Sequence, residues 1–219
     1  DVVIIGAGPV GLFAIFELGL LNISCHVIDN LNKLGGQCAE LYPEKPIYDI
    51  PSRVSISGQE LTDDLLAQVK PFKPVYHLSQ QVDKIEKLDS NEWLVKTSVN
   101  KTIQAKCIVI AAGAGSFVPR KIPFKDINHL EEKNIIYAVR NKSILEEKDL
   151  LIVGGGDSAL DWTNELSKIA NVTLMHRRKE FKAAPDSVSK MLELEKHKKI
   201  NFLLGQIQNI EDLNNGKIK

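Results

Sequence analysis

Short runs of aliphatic and β-branched residues recur along the chain, and two of them lead into glycine turns. Residues 2–5 (VVII) are continuously apolar, as in parallel strands that are buried on both faces, and residues 150–153 (LLIV) predict the corresponding strand of a second unit. A helical stretch and a second strand-like run follow each turn, the second runs being residues 24–29 (SCHVID) and 172–175 (VTLM). The pattern predicts two strand–turn–helix–strand units of a parallel α/β fold.

Between these two units the pattern changes to one helix followed by alternating positions. Residues 57–70 (SGQELTDDLLAQVK) have helical spacing and are stopped by prolines. Three stretches with strand-like alternation follow, at 80–88, 92–99 and 102–115. The end of the last stretch, residues 107–115 (CIVIAAGAG), predicts a buried strand that leads into small residues, where backbone can approach a ligand. Prolines shortly afterwards predict a domain boundary near residue 118.

The composition indicates an ordinary globular protein. Of the 219 residues, 28 are Lys or Arg and 28 are Asp or Glu, so no overall charge points to nucleic acid or to an anionic membrane. We find no pattern typical of a signal peptide or a membrane span. The three cysteines contain no C-x-x-C pair, which favours a reduced, cytoplasmic protein. Cys25 and Cys107 are predicted core residues, whereas Cys38, after a Gly-Gly-Gln turn, is less obviously inert.

The first glycine turn has the spacing G-x-G-x-x-G, at Gly6, Gly8 and Gly11. After a strand and before a helix, these glycines allow a tight turn, close approach of backbone to a pyrophosphate, and tight packing of helix on strand. The helix N-terminus offers free N–H groups to the phosphates. Asp29, at the end of the second strand, can accept hydrogen bonds from ribose hydroxyls. This order predicts a site for a dinucleotide with an unmodified ribose.

The second unit ends in positive charge instead of an acid. Its turn has the spacing G-x-G-x-x-A, at Gly154, Gly156 and Ala159, and its second strand runs into residues 176–178 (HRR). An acid at this point would repel a ribose 2′-phosphate, whereas paired arginines can bind it through forked hydrogen bonds. The second unit is therefore predicted to select NADP. The alternative for residues 176–182 (HRRKEFK) is a solvated basic helix start without a ligand.

Taken together, these motifs resemble the two-dinucleotide flavoprotein reductases, and more narrowly the thioredoxin reductase-like ferredoxin–NADP reductases. The segments that carry the resemblance span essentially the whole chain: GAGPVGL, LGGQCAELYPEKPIYDIP, AAGAGSFVPRK, YAVRNK, GGGDSALDW and VTLMHRRKEF. It implies two Rossmann-like α/β domains, an FAD-binding domain at 1–117 and an inserted NADPH-binding domain at 118–219. It also implies that the last FAD-binding segment and the end of the NADPH domain lie beyond Lys219.

The resemblance further implies the residues of the cofactor sites. Asp29 would hold the adenosine ribose, Gln37 would contact the flavin side of FAD, and Tyr42 would stack on the isoalloxazine ring. The backbone of Val82 would meet the adenine, and Phe117 would lie near the cofactor. No catalytic side chain and no metal ligand is predicted. The predicted cofactor-binding residues are Gly6, Gly8, Pro9, Gly11, Asp29, Gln37, Tyr42, Val82, Phe117, Gly154, Gly156, Asp157, Ser158, Arg177, Arg178 and Lys182.

Two departures from related patterns bear on the reaction. Thioredoxin reductases carry a redox-active C-x-x-C just before the second glycine motif, but the corresponding stretch here, residues 135–156, has no cysteine. A dithiol relay to a disulfide substrate therefore cannot run through that position. The third basic residue of the family's pattern is Lys182, which keeps the charge but loses the fork. Slightly weaker binding of the 2′-phosphate is expected as a result.

The activity implied by the resemblance is that of a ferredoxin–NADP reductase, cytoplasmic and homodimeric. A hydride would pass from NADPH to N5 of FAD, and electrons would then leave singly to ferredoxin or flavodoxin. Two alternatives stay open: a disulfide or small-molecule (quinone or flavin) reductase of the same fold, and a non-catalytic NADPH or flavin sensor. The scattered histidines are predicted to be structural or surface residues. They are His26, His77, His129, His176 and His197.

Overall fold

The chain crosses between two structural units more than once. The computed structural model describes residues 1–115, 121–124 and 127–219. Unit 1 comprises residues 1–120 and 138–140, and unit 2 comprises residues 121–137 and 141–219. The first crossing lies close to the predicted boundary near residue 118. The brief return of residues 138–140 to unit 1 has no counterpart in the sequence pattern.

Unit 1 combines a parallel sheet, an antiparallel sheet and three helices within its described residues. In chain order its elements are β1 (Val2–Ile5), α1 (Pro9–Leu20), β2 (Cys25–Ile28), α2 (Gly36–Leu41), β3 (Pro46–Ile47), β4 (Ile56–Ser57), α3 (Gly58–Val69), β5 (Val75–His77), β6 (Val82–Lys87), β7 (Trp93–Thr97), β8 (Thr102–Ala105) and β9 (Cys107–Ile110). The parallel sheet has the order β5-β2-β1-β9, and β6, β7 and β8 form the antiparallel sheet. Strands β3 and β4 pair in a separate short ladder.

Strand β1 is apolar throughout because both of its faces are buried. Val2 and Ile4 pack with residues of α1 and α3, whereas Val3 packs with β7 and β8 residues, among them Val95 and Ile103. Successive side chains of a strand point to opposite faces, so a strand between two packed layers needs apolar residues at every position. The prediction of a strand buried on both faces is confirmed.

The stretch 102–115 differs from its prediction. It divides into β8, which pairs with β7, and β9, which pairs with β1 in the other sheet. The N–H of Lys106, between them, donates to the carbonyl of Asp1 at 2.9 Å, where the chain changes sheets. Strand β9 is an edge strand, with Cys107 exposed and Ile110 72% exposed. The prediction that β9 is buried and Cys107 is a core residue is therefore wrong, whereas Cys25 is buried as predicted.

Helix α3 begins with a capping box. The N–H of Glu60 donates to Oγ of Ser57 at 3.2 Å, and the N–H of Ser57 donates to Oε2 of Glu60 at 2.8 Å. These two bonds satisfy backbone donors that the first turn of a helix leaves unpaired. Ser57→Ala is expected to lower the free energy of unfolding by about 1 kcal/mol in urea denaturation. Ser55→Ala, at an exposed position outside the cap, is the control and should change it by less than about 0.5 kcal/mol.

Unit 2 is built around a three-stranded parallel sheet. Its strands and helices in chain order are β10 (Asp149–Val153), α4 (Asp157–Leu166), β11 (Asn171–His176), α5 (Pro185–Lys196) and β12 (Ile200–Leu204). The sheet order is β10-β11-β12, and every pairing is parallel. Leu160 of α4, Leu174 of β11 and Met191 of α5 are fully buried, and α4 packs against both β11 and α5. Within the described ranges, no helix in either unit is long and apolar enough to cross a membrane.

Candidate functional site

A cavity of about 730 Å³ lies at the carboxyl ends of β1, β2 and β9 in unit 1. Doubly wound α/β sheets bind their ligands at this end of the strands. The cavity brings together most of the residues that were predicted for the first cofactor. Those that line it are Gly6, Gly8, Pro9, Asp29, Gln37, Tyr42 and Val82.

The three glycines of the first turn have different structural roles. Gly6 has φ +106°, and a Cβ there would lie 2.3 Å from the carbonyl oxygen of Ala111. A Cβ on Gly11 would lie 1.9 Å from the carbonyl oxygen of Gly6. A Cβ on Gly8, in contrast, would meet no heavy atom closer than the Cα of Gly36 at 3.9 Å. Gly6 and Gly11 are therefore required by packing, whereas Gly8 leaves open space beside the cavity.

Asp29 is fixed by backbone hydrogen bonds directly after β2. Its Oδ2 accepts from the N–H of Ala7 at 2.6 Å, and its Oδ1 accepts from the N–H of Leu31 at 2.8 Å. A carboxylate has about four acceptor positions in all. Two of them are therefore still available to hydroxyl donors in the cavity, which fits the predicted contact with a ribose.

Helix α2 places a thiol and a phenol on the cavity wall. Cys38 and Tyr42 both line the cavity, and their side chains are close enough to influence each other's pKa. Burial is the largest influence on both groups and raises the pKa of the Cys38 thiol and of the Tyr42 phenol. Both groups are therefore neutral at pH 7. The ammonium of Lys45 lies 5.7 Å from the centroid of the Tyr42 ring, within the range of a cation–π contact.

The returning segment of residues 138–140 is joined to the same wall by charge. Glu40, a cavity residue, accepts from Arg140 at 2.8 Å and from Lys33 at 2.9 Å. Burial alone would raise the pKa of the Glu40 carboxyl, but the two cations outweigh it and lower the pKa. The carboxylate is therefore ionised at neutral pH, and its two partners connect α2 with the segment before it and with residue 140.

In unit 2, the turn between β10 and α4 is also tightly packed. A Cβ on Gly154 would lie 2.8 Å from the Cβ of Ala159, which explains why both positions hold small residues. Gly156 is the N-cap residue of α4, and Asp157 and Ser158 form its exposed first turn. The N–H of Ala184 donates to Oδ1 of Asp157 at 2.7 Å. The first turn of α4 is therefore joined to the segment that follows β11.

That segment carries the predicted arginines. Arg177 and Arg178 are exposed and follow β11 directly, just as Asp29 follows β2. Residues 177–180 are a series of bends, and α5 begins only at Pro185. Residues 176–182 therefore do not start a helix, and that part of the alternative is wrong, whereas binding of a 2′-phosphate by this exposed segment stays a prediction.

Backbone contacts hold the basic segment against the glycine turn. The N–H of Lys182 donates to the carbonyl of Gly155 at 2.7 Å. The His176 ring stacks on Phe181 with centroids 5.4 Å apart, and a Cβ on Gly155 would lie 2.4 Å from that ring. The backbone of the basic segment therefore lies beside the glycine turn that leads into α4.

Some predicted cofactor-binding residues do not line the cavity, and some residues that line it were not predicted. Phe117 lies outside the described residues. Gly11 is buried beneath the turn and does not line the cavity. Gln80 and Gln81 do line it, although no motif singled them out, and their only sequence signal is that they precede Val82. The cofactor roles of all these residues stay predictions.

Residues 1–217 match the pyridine nucleotide-disulphide oxidoreductase family. Two curated relatives are named ferredoxin–NADP reductase. The one from Parvibaculum lavamentivorans is 53% identical over 100% of this chain and 64% of its own length. The one from Mesorhizobium japonicum is 55% identical over 94% of this chain and 61% of its own length. The chain therefore spans less than two thirds of these relatives.

Solved structures of the same fold are thioredoxin reductases. The enzyme from T. acidophilum has a TM-score of 0.77 at 20% identity, over 100% of this chain and 72% of its own. The enzyme from Lactococcus lactis has a TM-score of 0.74 at 22% identity, over 100% of this chain and 73% of its own. Such identities show the fold alone, and they confirm the predicted α/β class with Rossmann-like units. Together with the match over residues 1–217, this establishes that the chain belongs to the pyridine nucleotide-disulphide oxidoreductase family.

Proposed function

We propose that this chain carries the FAD and NADPH sites of a reductase that delivers electrons to ferredoxin or flavodoxin. The observation on which this rests is the opposite charge after the second strand of each unit. Asp29 follows β2, whereas Arg177 and Arg178 follow β11. An acid favours a free ribose and paired arginines favour a 2′-phosphate. The name ferredoxin–NADP reductase, carried by relatives that are 53% and 55% identical, supports the acceptor and the nucleotide.

In this proposal unit 1 holds FAD. The open side of Gly8 and the N-terminus of α1 would receive the pyrophosphate, because backbone can approach closely there and helix N-termini attract anions. Asp29 would accept from the adenosine ribose, and the backbone of Val82 would meet the adenine. Gln37 and Tyr42 would bind the flavin end. When bound, FAD would accept a hydride from NADPH and release its electrons singly.

Unit 2 would hold NADPH at the turn between β10 and α4. Gly154 and Gly156 would let the pyrophosphate approach the first turn of α4, where Asp157 and Ser158 begin the helix. Arg177 and Arg178 would bind the 2′-phosphate through forked hydrogen bonds, and Lys182 would add a single positive charge. In the domain assignment that follows, residues 1–117 bind FAD and residues 118–219 bind NADPH.

The cysteines favour a direct transfer to an external acceptor. The chain has three, of which Cys25 is buried, Cys38 is half-buried in the cavity wall and Cys107 is exposed on β9. None occupies the segment before the second glycine turn, so a dithiol relay at that point has no residues to run through. We also propose that the protein is a cytoplasmic homodimer.

An anaerobic reduction experiment with the full-length protein tests the proposal. The flavin absorbance should bleach on addition of NADPH and much less on addition of NADH. Supplying oxidised ferredoxin or flavodoxin should then restore the absorbance with steady consumption of NADPH. Thioredoxin and a quinone serve as control electron acceptors, and turnover with both should be slow.

The remaining outcomes separate the alternatives. Fast turnover with thioredoxin would show a disulfide reductase and contradict the argument from the cysteines. Fast turnover with the quinone alone would show a small-molecule reductase. Bleaching without turnover on any acceptor would show a sensor. A protein that binds no FAD would overturn the proposal altogether.

A further inference from the structure

Two histidines and a lysine form a hydrogen-bonded chain in unit 1. Nδ1 of His26 lies 2.8 Å from Nε2 of His77, although the two residues are 51 positions apart. The ammonium of Lys101 lies 3.0 Å from Nδ1 of His77. The two rings lie edge to edge, with centroids 5.0 Å apart and an interplanar angle of 26°, and His77 is only 6% exposed. These hydrogen bonds connect β2, β5 and the turn between β7 and β8.

The geometry fixes where the protons lie. An ammonium can only donate, so Nδ1 of His77 must accept, and the proton of a neutral His77 lies on Nε2. That Nε2–H then donates to Nδ1 of His26, whose own proton lies on its Nε2. A proton on Nδ1 of either ring would place two donors against each other. The complete chain therefore requires both imidazoles to be neutral.

The histidine pair is directly connected to the cavity wall. The N–H of Asp29 donates to the carbonyl of His77 at 3.0 Å, and the N–H of Gln80 donates to the carbonyl of Asp29 at 3.0 Å. The N–H of Ser79 donates to the carbonyl of Leu31 at 2.9 Å. These bonds join the segment after β2 to the segment after β5. The segment after β2 contributes Asp29 to the cavity, and the segment after β5 contributes residues 80–82.

We propose that His26, His77 and Lys101 are positioning residues that hold these two wall segments together, and that they do so only while both imidazoles are neutral. This inference rests on the proposed function, because it assigns the wall segments to the adenosine end of bound FAD. Acidification would break the chain of hydrogen bonds, separate β5 from β2 at their ends, and weaken the retention of FAD. The cluster would therefore make cofactor retention sensitive to pH.

The electrostatic surroundings agree with this requirement. Burial is the largest influence that lowers the pKa of both His26 and His77. Lys101 lowers both pKa values further. On the opposite face of the sheet the titratable neighbours are Cys25 and Tyr76, and burial raises the pKa of each, so both are neutral.

The sign of the pH effect follows from the lowered pKa values. Above the ordinary histidine pKa of about 6.5, both imidazoles are neutral with or without the cluster, so the cluster is fully effective. Below it, the separated state takes up protons that the intact cluster refuses. Between about pH 7.5 and 5.5, each imidazole should weaken FAD retention by up to about tenfold, and the pair by up to about a hundredfold.

The test follows FAD release by flavin fluorescence in the full-length protein across this pH range. Imidazole NMR titration and amide hydrogen exchange at Asp29 and Gln80 are measured in parallel. We expect His26 and His77 to stay neutral below pH 6.5 and amide protection to fall together with FAD retention. If FAD does not bind even at pH 8, the proposed function fails, while the NMR and exchange data still decide the role of the cluster.

Lys101→Met is the decisive variant because Lys101 is exposed and its loss leaves the core intact. Without the ammonium, His77 can take a proton on Nδ1 and still donate from Nε2 to His26. The loss of FAD retention on acidification should then shrink to about tenfold at most. Lys87→Met removes an exposed charge from the same antiparallel sheet, and His197→Gln removes an exposed histidine from unit 2. Both controls should keep the wild-type pH profile.

Either of two results would overturn the inference. One is a Lys101→Met profile identical to that of the wild type. The other is ordinary titration of both histidines near pH 6.5 with unchanged exchange at Asp29 and Gln80.

Discussion

Replacing Arg177 and Arg178 together with alanine is expected to raise the NADPH concentration needed for half-maximal flavin reduction by about ten- to a hundredfold. We take the net loss for the exposed pair as that of one hydrogen bond to a charged group, about 1.5–3 kcal/mol, because solvent screens exposed charges. About 1.4 kcal/mol corresponds to a factor of ten. Both side chains are exposed directly after β11, so their removal should leave the fold unchanged. The use of NADH should barely change, because NADH has no 2′-phosphate.

The matched control removes two other exposed cations from unit 2. Lys196 and Lys199 lie where α5 leads into β12, at the end of the parallel sheet opposite to the arginines. Their joint replacement with alanine should leave the NADPH requirement unchanged. Steady-state kinetics with both nucleotides distinguishes the cases. An equal loss of NADPH and NADH use in the arginine variant would show that the arginines are structural.

Gly8→Ala is expected to raise the dissociation constant for FAD by about a hundredfold while the FAD-free protein stays folded. The backbone of Gly8 has φ −74°, which alanine adopts without strain, and its added methyl group would have no heavy atom within 3.9 Å. Alanine is a poor N-cap residue, so a loss of up to about 1 kcal/mol of stability is expected. The larger effect is expected on FAD binding, because the methyl group would occupy the space proposed for the pyrophosphate.

Gly11→Ala in the same turn should instead destabilise the fold. Its methyl group would lie 1.9 Å from the carbonyl oxygen of Gly6, and the backbone there cannot move without displacing α1 from β1. We expect a loss of about 3 kcal/mol or more in the free energy of unfolding. Thermal unfolding of the FAD-free variants and FAD titration by fluorescence measure the two effects. If Gly8→Ala bound FAD as tightly as the wild type, the pyrophosphate would not bind beside Gly8.

Local patterns were sufficient to predict the framework of both units. The continuous apolar run at residues 2–5 identified a strand buried on both faces, and the turn spacing identified Gly6 and Gly11 as close-packing positions. The contrast between Asp29 in the first unit and Arg177 and Arg178 in the second was also visible in the sequence, because these residues directly follow the second strand of their unit. Each of these features depends on residues within about one strand–turn–helix unit, so periodicity and spacing reveal them.

Features that depend on distant contacts were not predictable in this way. Strand β9 was expected to be buried, but it lies at an edge because β1 is its one neighbour in the described sheet. The pairing of His26 with His77 joins strands 51 positions apart, and no spacing rule relates them. Cys38 was undecided until its neighbour Tyr42 and its place on the cavity wall were known. Such features depend on how the sheets assemble, which local pattern does not encode.

The loop after β11 is docked by the main chain of residue 182 rather than by its side chain. Because the amide of Lys182 makes the bond to the carbonyl of Gly155, any non-proline residue could complete it. The nature of the cation at this position is thereby uncoupled from the shape of the loop. In the proposed function, where Lys182 adds a positive charge for the 2′-phosphate, a single lysine-to-arginine exchange would change the nucleotide preference of unit 2 without a structural penalty.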